Sequence, residues 1–137
     1  MDKEYEVILV KNFFNETIQD RLIYELCSEK KRINALSRLC HNYDELFIQK
    51  YTVNITKTYS DYTEIINLLK SYGAKNDCYA ISWNQAIDGQ YLPLKAALEN
   101  TAGLGMPSII SCLPDKLLYF ESEREYGSPA RFILKKD

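Results

Sequence analysis

Cys78-Tyr79-Ala80-Ile81-Ser82-Trp83 is the stretch on which the fold turns. This compact apolar run is bounded by the turn formers Asn76-Asp77 and Asn84. Six residues between such boundaries are too few for a helix and read as an inner strand. Everything on the C-terminal side follows in short units. Asp88-Gly89 is a turn signal, and Pro93 to Thr101 is a helix with Pro93 tolerated in its first turn. Gly103 and Gly105 stop that helix. Ser108 to Leu113 is a second short apolar strand, and Pro114-Asp115 turns the chain. Leu117 to Ser122 and Arg131 to Lys135 then flank Gly127-Ser128-Pro129 as a closing hairpin.

Working back from Cys78, Asp61-x-x-Glu64 has the form of a capping box. It opens a helix whose buried face is Ile65, Ile66, Leu68 and Leu69, and Gly73 suits the left-handed closing position. In Lys50 to Thr58, Tyr51, Val53 and Ile55 alternate with Thr52, Asn54 and Thr56, the period of a strand with one wet face. Asp44 to Ile48 adds a helical turn. Further back, Asn15 is placed as the cap of a helix over 16–27, which carries Ile18, Leu22, Ile23 and Leu26 at helical spacing. Ser28 caps a second helix with Ile33, Leu36, Leu39 and Cys40 on one face, ending near His41-Asn42. The short connection makes these two an αα pair. Tyr5 to Val10 fits either a strand or the start of a helix. The expected fold is therefore α+β: an N-terminal αα pair, then a mixed or mainly antiparallel sheet of four to five strands with two further helices, ending in a β-hairpin. Helices coming first, followed by strands, favour a sheet covered on one face.

At 137 residues the chain has the common size of one domain, here 1–137, with no repeat or linker. Its 17 basic and 19 acidic residues give a net charge of −2, which argues against nucleic acid as a partner. The basic cluster Lys30, Lys31, Arg32 and Arg38 reads as a solvated helix face. No run approaches the roughly 20 apolar residues of a membrane span, and the acidic start does not resemble a secretory leader. A cytoplasmic location is expected. The Asn15-Glu16-Thr17 and Asn54-Ile55-Thr56 sequons then carry no glycan. Cys27, Cys40, Cys78 and Cys112 lie in apolar segments as reduced, core-forming residues.

Motifs for chemistry are sparse. His41 is the single histidine, and neighbouring Cys40 points about 100° away on a helix. No cysteine pair has zinc spacing, so neither a metal nor another cofactor is expected, and no catalytic residue is assigned. Gly103-Leu104-Gly105 runs from a helix into a strand, the wrong direction for a phosphate cradle. Glu121 and Glu123 alternate on the hairpin and would share a face, with Glu125 beyond; the plainer role is a charged, aggregation-blocking edge.

The unusual feature is eleven tyrosines. Tyr43, Tyr59, Tyr62, Tyr72, Tyr91 and Tyr126 fall in loops or helix ends, where tyrosine supplies contact area with a polar tip. The leading expectation is a small protein-binding module of a bacterial kind, such as an inhibitor or an immunity-type protein that blocks a toxin or enzyme. Its mildly acidic, tyrosine-rich surface would be centred on Trp83, Asp88, Tyr91, Glu121 and Glu123. Two alternatives stand beside it: a small carboxylate-dependent enzyme, metal-assisted or not, and a structural or regulatory homodimer.

Overall fold

The computed structural model describes residues 1–40, 43–55, 62–112, 116–123 and 130–136. Helices α1 (Lys3–Phe13), α2 (Glu16–Cys27), α3 (Arg32–Cys40) and the single turn α4 (Tyr43–Leu46) come first. Then follow β1 (Thr52–Asn54), α5 (Tyr62–Ser71), β2 (Asp77–Ser82), β3 (Gln90–Pro93), α6 (Leu94–Glu99), β4 (Ser108–Cys112), β5 (Leu117–Glu121) and β6 (Arg131–Lys135). The six strands form one sheet in the order β1-β6-β5-β4-β2-β3, antiparallel at every pairing. The α+β class, the αα pair and the closing hairpin are as expected.

Tyr5 to Val10 resolves as part of a helix. Asp2 caps α1 by accepting from the Tyr5 amide at 3.0 Å, and Glu6, Leu9, Val10 and Phe13 form the buried face at helical spacing. The charge on Glu6, at an inward position, hides that period in the sequence. The sixth strand, β3, was also hidden. Gln90 and Pro93 look unlike a strand, but β3 lies at the sheet edge, where proline costs no ladder bond. Pro93 accordingly precedes α6 rather than entering it.

Helices cover both faces of the sheet, not one. Tyr79, Ile81, Ile109, Leu118, Phe120, Phe132 and Leu134 pack against α1–α4. Cys78, Ala80, Ile110, Cys112, Tyr119 and Ile133 pack against Ile65 and Leu69 of α5 and Leu94, Ala97 and Leu98 of α6. The reason lies in the strands. All five residues of β4 and of β5 are buried, and continuous apolar runs without alternation mark strands enclosed on both sides.

Three local expectations change as well. Asn15 does not cap α2; its side chain donates to the Glu45 carbonyl at 2.6 Å. On α3, Arg32 faces inward and Ile33 faces out, a rotation of about one residue from the expected stripe. Arg32 therefore leaves the solvated basic face on which Lys30 and Lys31 remain exposed. Gly73 closes α5 with φ +108°, as expected. His41, Asp61, Tyr59, the Pro114-Asp115 turn, Glu125, Tyr126 and Gly127-Ser128-Pro129 lie outside the described residues.

Candidate functional site

Three constructions of charge organise the polar residues. The first joins α1, α3 and the β2–β3 turn. Arg32 donates to both oxygens of Glu6 (2.7 and 3.0 Å), both oxygens of Asp88 (2.8 Å each) and the Leu26 carbonyl (3.2 Å). All five N–H groups of the guanidinium are thus used. Tyr79 donates to Glu6 at 2.5 Å, and the Ser82 amide donates to Asp88 at 3.0 Å. Burial and the two carboxylates act in opposite directions on Arg32, and the carboxylates prevail, so its pKa rises. Asp88, read in the sequence as a surface residue, spends its charge inside the fold. Tyr91 stands opposite Tyr79, exposed, with its hydroxyl donating to Asp2 at 2.6 Å.

The second construction lies on the opposite face of the sheet. Glu121 is fully enclosed. It accepts from the Gly103 amide (2.9 Å), the Gly105 amide (3.2 Å) and the Tyr119 hydroxyl (2.8 Å), and pairs with the Arg131 Nε at 3.3 Å. The Gly103-Leu104-Gly105 loop follows the end of α6 and turns its amides to the chain's own carboxylate. Both glycines have positive φ, +79° and +71°, which turns their amides to the same side. Glu123 is exposed and does not join Glu121.

Beyond that carboxylate the end of the sheet meets solvent. The register Ser82↔Ser108↔Glu121↔Arg131 crosses it. One residue further, the Trp83 amide donates to the Pro107 carbonyl at 3.0 Å and the Ser122 amide to the Ala130 carbonyl at 2.9 Å. Here three large apolar side chains stand exposed, Trp83 at 40%, Leu104 at 54% and Met106 at 36%. Glu123 follows Ser122 at the same end. The structure thus sets Trp83 and Glu123 at the same end of the sheet, with β4 between the strands they follow, while Asp88 and Glu121 lie beneath the surface and Tyr91 on the β3 edge. Leu104 and Met106 were missed because a glycine-flanked loop reads as punctuation, not as a surface. Among the described residues, Tyr91 packs with Tyr5 and Tyr79, ring centroids 4.7 to 5.9 Å apart, while Tyr43, Tyr62 and Tyr72 are half-buried against the cores.

The third construction belongs to the helical layer. Glu25 of α2 is buried, and two arginines hold it: Arg38 of α3 through Nε and Nη2 (2.8 and 3.1 Å), and Arg21 through Nε (3.2 Å). The hydrogen bond from Arg38 leads in keeping the Glu25 carboxyl below its ordinary pKa, against the opposing effect of burial. This ion triad forms one wall of a cleft of about 590 Å³ between α2, α3 and α4, also lined by Thr17, Asn34, Ser37 and Glu45.

Among the described residues no group of three or more His, Cys, Asp or Glu side chains could hold a metal ion, and no helix is long and apolar enough to cross a membrane. Compared with models of known protein families, with curated proteins and with solved structures, the chain gives no significant match in any of the three.

Proposed function

We propose that the chain is a small cytoplasmic protein-binding module of inhibitor or immunity type, with the Trp83 end of the sheet as its contact face. The observation that carries this reading is the exposure of Trp83, Leu104 and Met106 at one end of the sheet, when most large apolar side chains are enclosed. Tryptophan is a favoured anchor of protein interfaces because it buries much area at little rotamer cost. The face is also rigid, which limits the ordering cost of binding. Gly105 is tied to Glu121, Trp83 to Pro107, and the Asn84 side chain bridges the Ala86 amide (3.0 Å) and the Asn100 carbonyl (3.2 Å). Glu123 gives its rim an acidic member, in keeping with the chain's net charge of −2.

The alternative of a carboxylate-dependent enzyme gains nothing from the residues expected to carry it. Glu121 and Asp88 are committed to internal partners, and neither lines the 590 Å³ cleft. The test of the binding reading is capture by the immobilised chain from an extract of its source cell, run in parallel with Trp83→Ser/Met106→Ser. A partner bound one to one, with affinity at least tenfold weaker for the double variant, supports it. Equal binding by both chains removes the contact face. A protein found only as a dimer of its 16.0 kDa chain, with Trp83 shielded in the dimer, would favour the homodimer instead.

A further inference from the structure

The buried Glu25 has a consequence apart from the sheet-end face. A carboxylate enclosed in a helical layer is costly unless its charge is met. Here it is met twice: Arg38 of α3 grips both oxygens through Nε and Nη2, and Arg21, on the same helix as Glu25, adds a single Nε bond to Oε2. Each guanidinium thus turns one edge toward Glu25, while the other stays in solvent: Arg21 is 63% exposed and Arg38 36%. Among the described residues, Nη1 and Nη2 of Arg21 and Nη1 of Arg38 have no protein acceptor, and neither do the hydroxyls of Thr17 and Ser37 or the amide of Asn34. All of these residues line the same cleft. Its volume of about 590 Å³ suits a small molecule. Ile18 and Leu46 supply an apolar portion of the wall.

We propose that this cleft binds a small molecule through a single carboxylate, held by the outer edges of Arg21 and Arg38, with an aliphatic body against Ile18 and Leu46. Planar guanidinium groups match a carboxylate in geometry, and Glu25 orients both, Arg38 through two bonds and Arg21 through one. Charge selects the class of anion. The four charged residues of the lining, Arg21, Arg38, Glu25 and Glu45, sum to zero, so a monoanion disturbs the balance least. Glu45 adds a negative charge to the lining, which disfavours a dianion such as phosphate. Glu45 also offers an acceptor to a hydroxyl or amide N–H on the ligand body.

The test uses the full chain, labelled for two-dimensional NMR, titrated with N-acetylleucine, N-acetylleucine amide, inorganic phosphate and a hexapeptide ending in leucine. Saturable shifts confined to α2, α3 and α4 with N-acetylleucine, absent with its amide, support the proposal. Arg21→Gln should weaken that binding at least fivefold. Arg21 is mostly exposed, so this variant keeps the fold whatever Arg38→Gln does. Binding by the hexapeptide, and not by N-acetylleucine, would assign the carboxylate to a peptide terminus and overturn the small-molecule assignment. Equal binding of the amide, tighter binding of phosphate, unchanged affinity in Arg21→Gln, or no saturable shift at millimolar ligand would each overturn the proposal.

Discussion

Arg32 shows how far a single residue's role depends on remote partners. It lies in sequence beside Lys30 and Lys31, and nothing local separates it from them. Its partners Glu6 and Asp88 are 26 and 56 positions away, so its burial is legible only once the chain is folded. Replacing it strands two carboxylates in the core, and removing one partner of a buried pair costs about 3–5 kcal/mol. Arg32→Met should therefore lower the urea midpoint by that amount in free energy, while Lys31→Met should leave it within about 0.5 kcal/mol. The cysteines pose a similar question with a different outcome. Their apolar settings were readable in the sequence, but only Cys78 and Cys112 are fully enclosed, and burial pushes both thiols up to about 12. A thiol reagent at neutral pH should label Cys27 and Cys40 in the native protein, reaching four sites only after unfolding. Labelling of Cys78 at the rate of Cys27 would contradict the packing of β2 against α6.

Among the elements, legibility followed periodicity. The helix over 16–27 and the strands at 78, 108, 117 and 131 were readable because apolar spacing and turn residues agreed. α1 and β3 were not, because each puts a polar or helix-breaking residue where the pattern demands otherwise: Glu6 facing inward, Pro93 on an edge. The second layer of helices was implicit in β4 and β5, where Ile109-Ile110 and Leu117 to Phe120 put apolar residues on both faces. The loop of Gly103 and Gly105 reads in sequence only as a helix stop, because its hold on Glu121 comes from two positive φ angles and from a carboxylate sixteen or more residues on. Gly103→Ala tests it. An added Cβ would stand 3.6 Å from the nearest Arg131 nitrogen, an ordinary contact, so the cost is conformational and should be about 1–2 kcal/mol. Glu121→Leu should cost more, about 3–5 kcal/mol, because it leaves Arg131 without the carboxylate it is paired with. Equal losses in the two variants would mean that the glycine conformation, not the carboxylate, fixes the loop.

For the whole molecule the hydrogen-bonded acids and phenols define a window of pH. Glu25 and Asp2 have folded pKa values lowered chiefly by hydrogen bonds, from Arg38 and Tyr91 respectively. Their contribution is present above the unfolded carboxylate value of about 4 and disappears as pH falls through the lower folded values. On the alkaline side the sign reverses. Tyr79, Tyr91 and Tyr119 are raised, first by burial and then by the carboxylates Glu6, Asp2 and Glu121 beside them, and Cys78 and Cys112 are raised by burial. The fold holds these groups neutral, so their contribution is complete below the unfolded values, about 8.5 for thiols and about 10 for phenols, and is lost as pH rises above them. Denaturant midpoints should therefore form a plateau between about pH 5 and 8 and fall on both sides. Tyr119→Phe isolates one contribution. Phenylalanine fills the same volume without an ionisable group, so the variant should lose stability at pH 7 yet fall less steeply above pH 10. Glu121 keeps its two amide donors and Arg131 in that variant, so the change in slope belongs to the phenol alone. A slope identical to that of the natural chain would place Tyr119 in water and undo the layered arrangement in which both faces of β5 are enclosed.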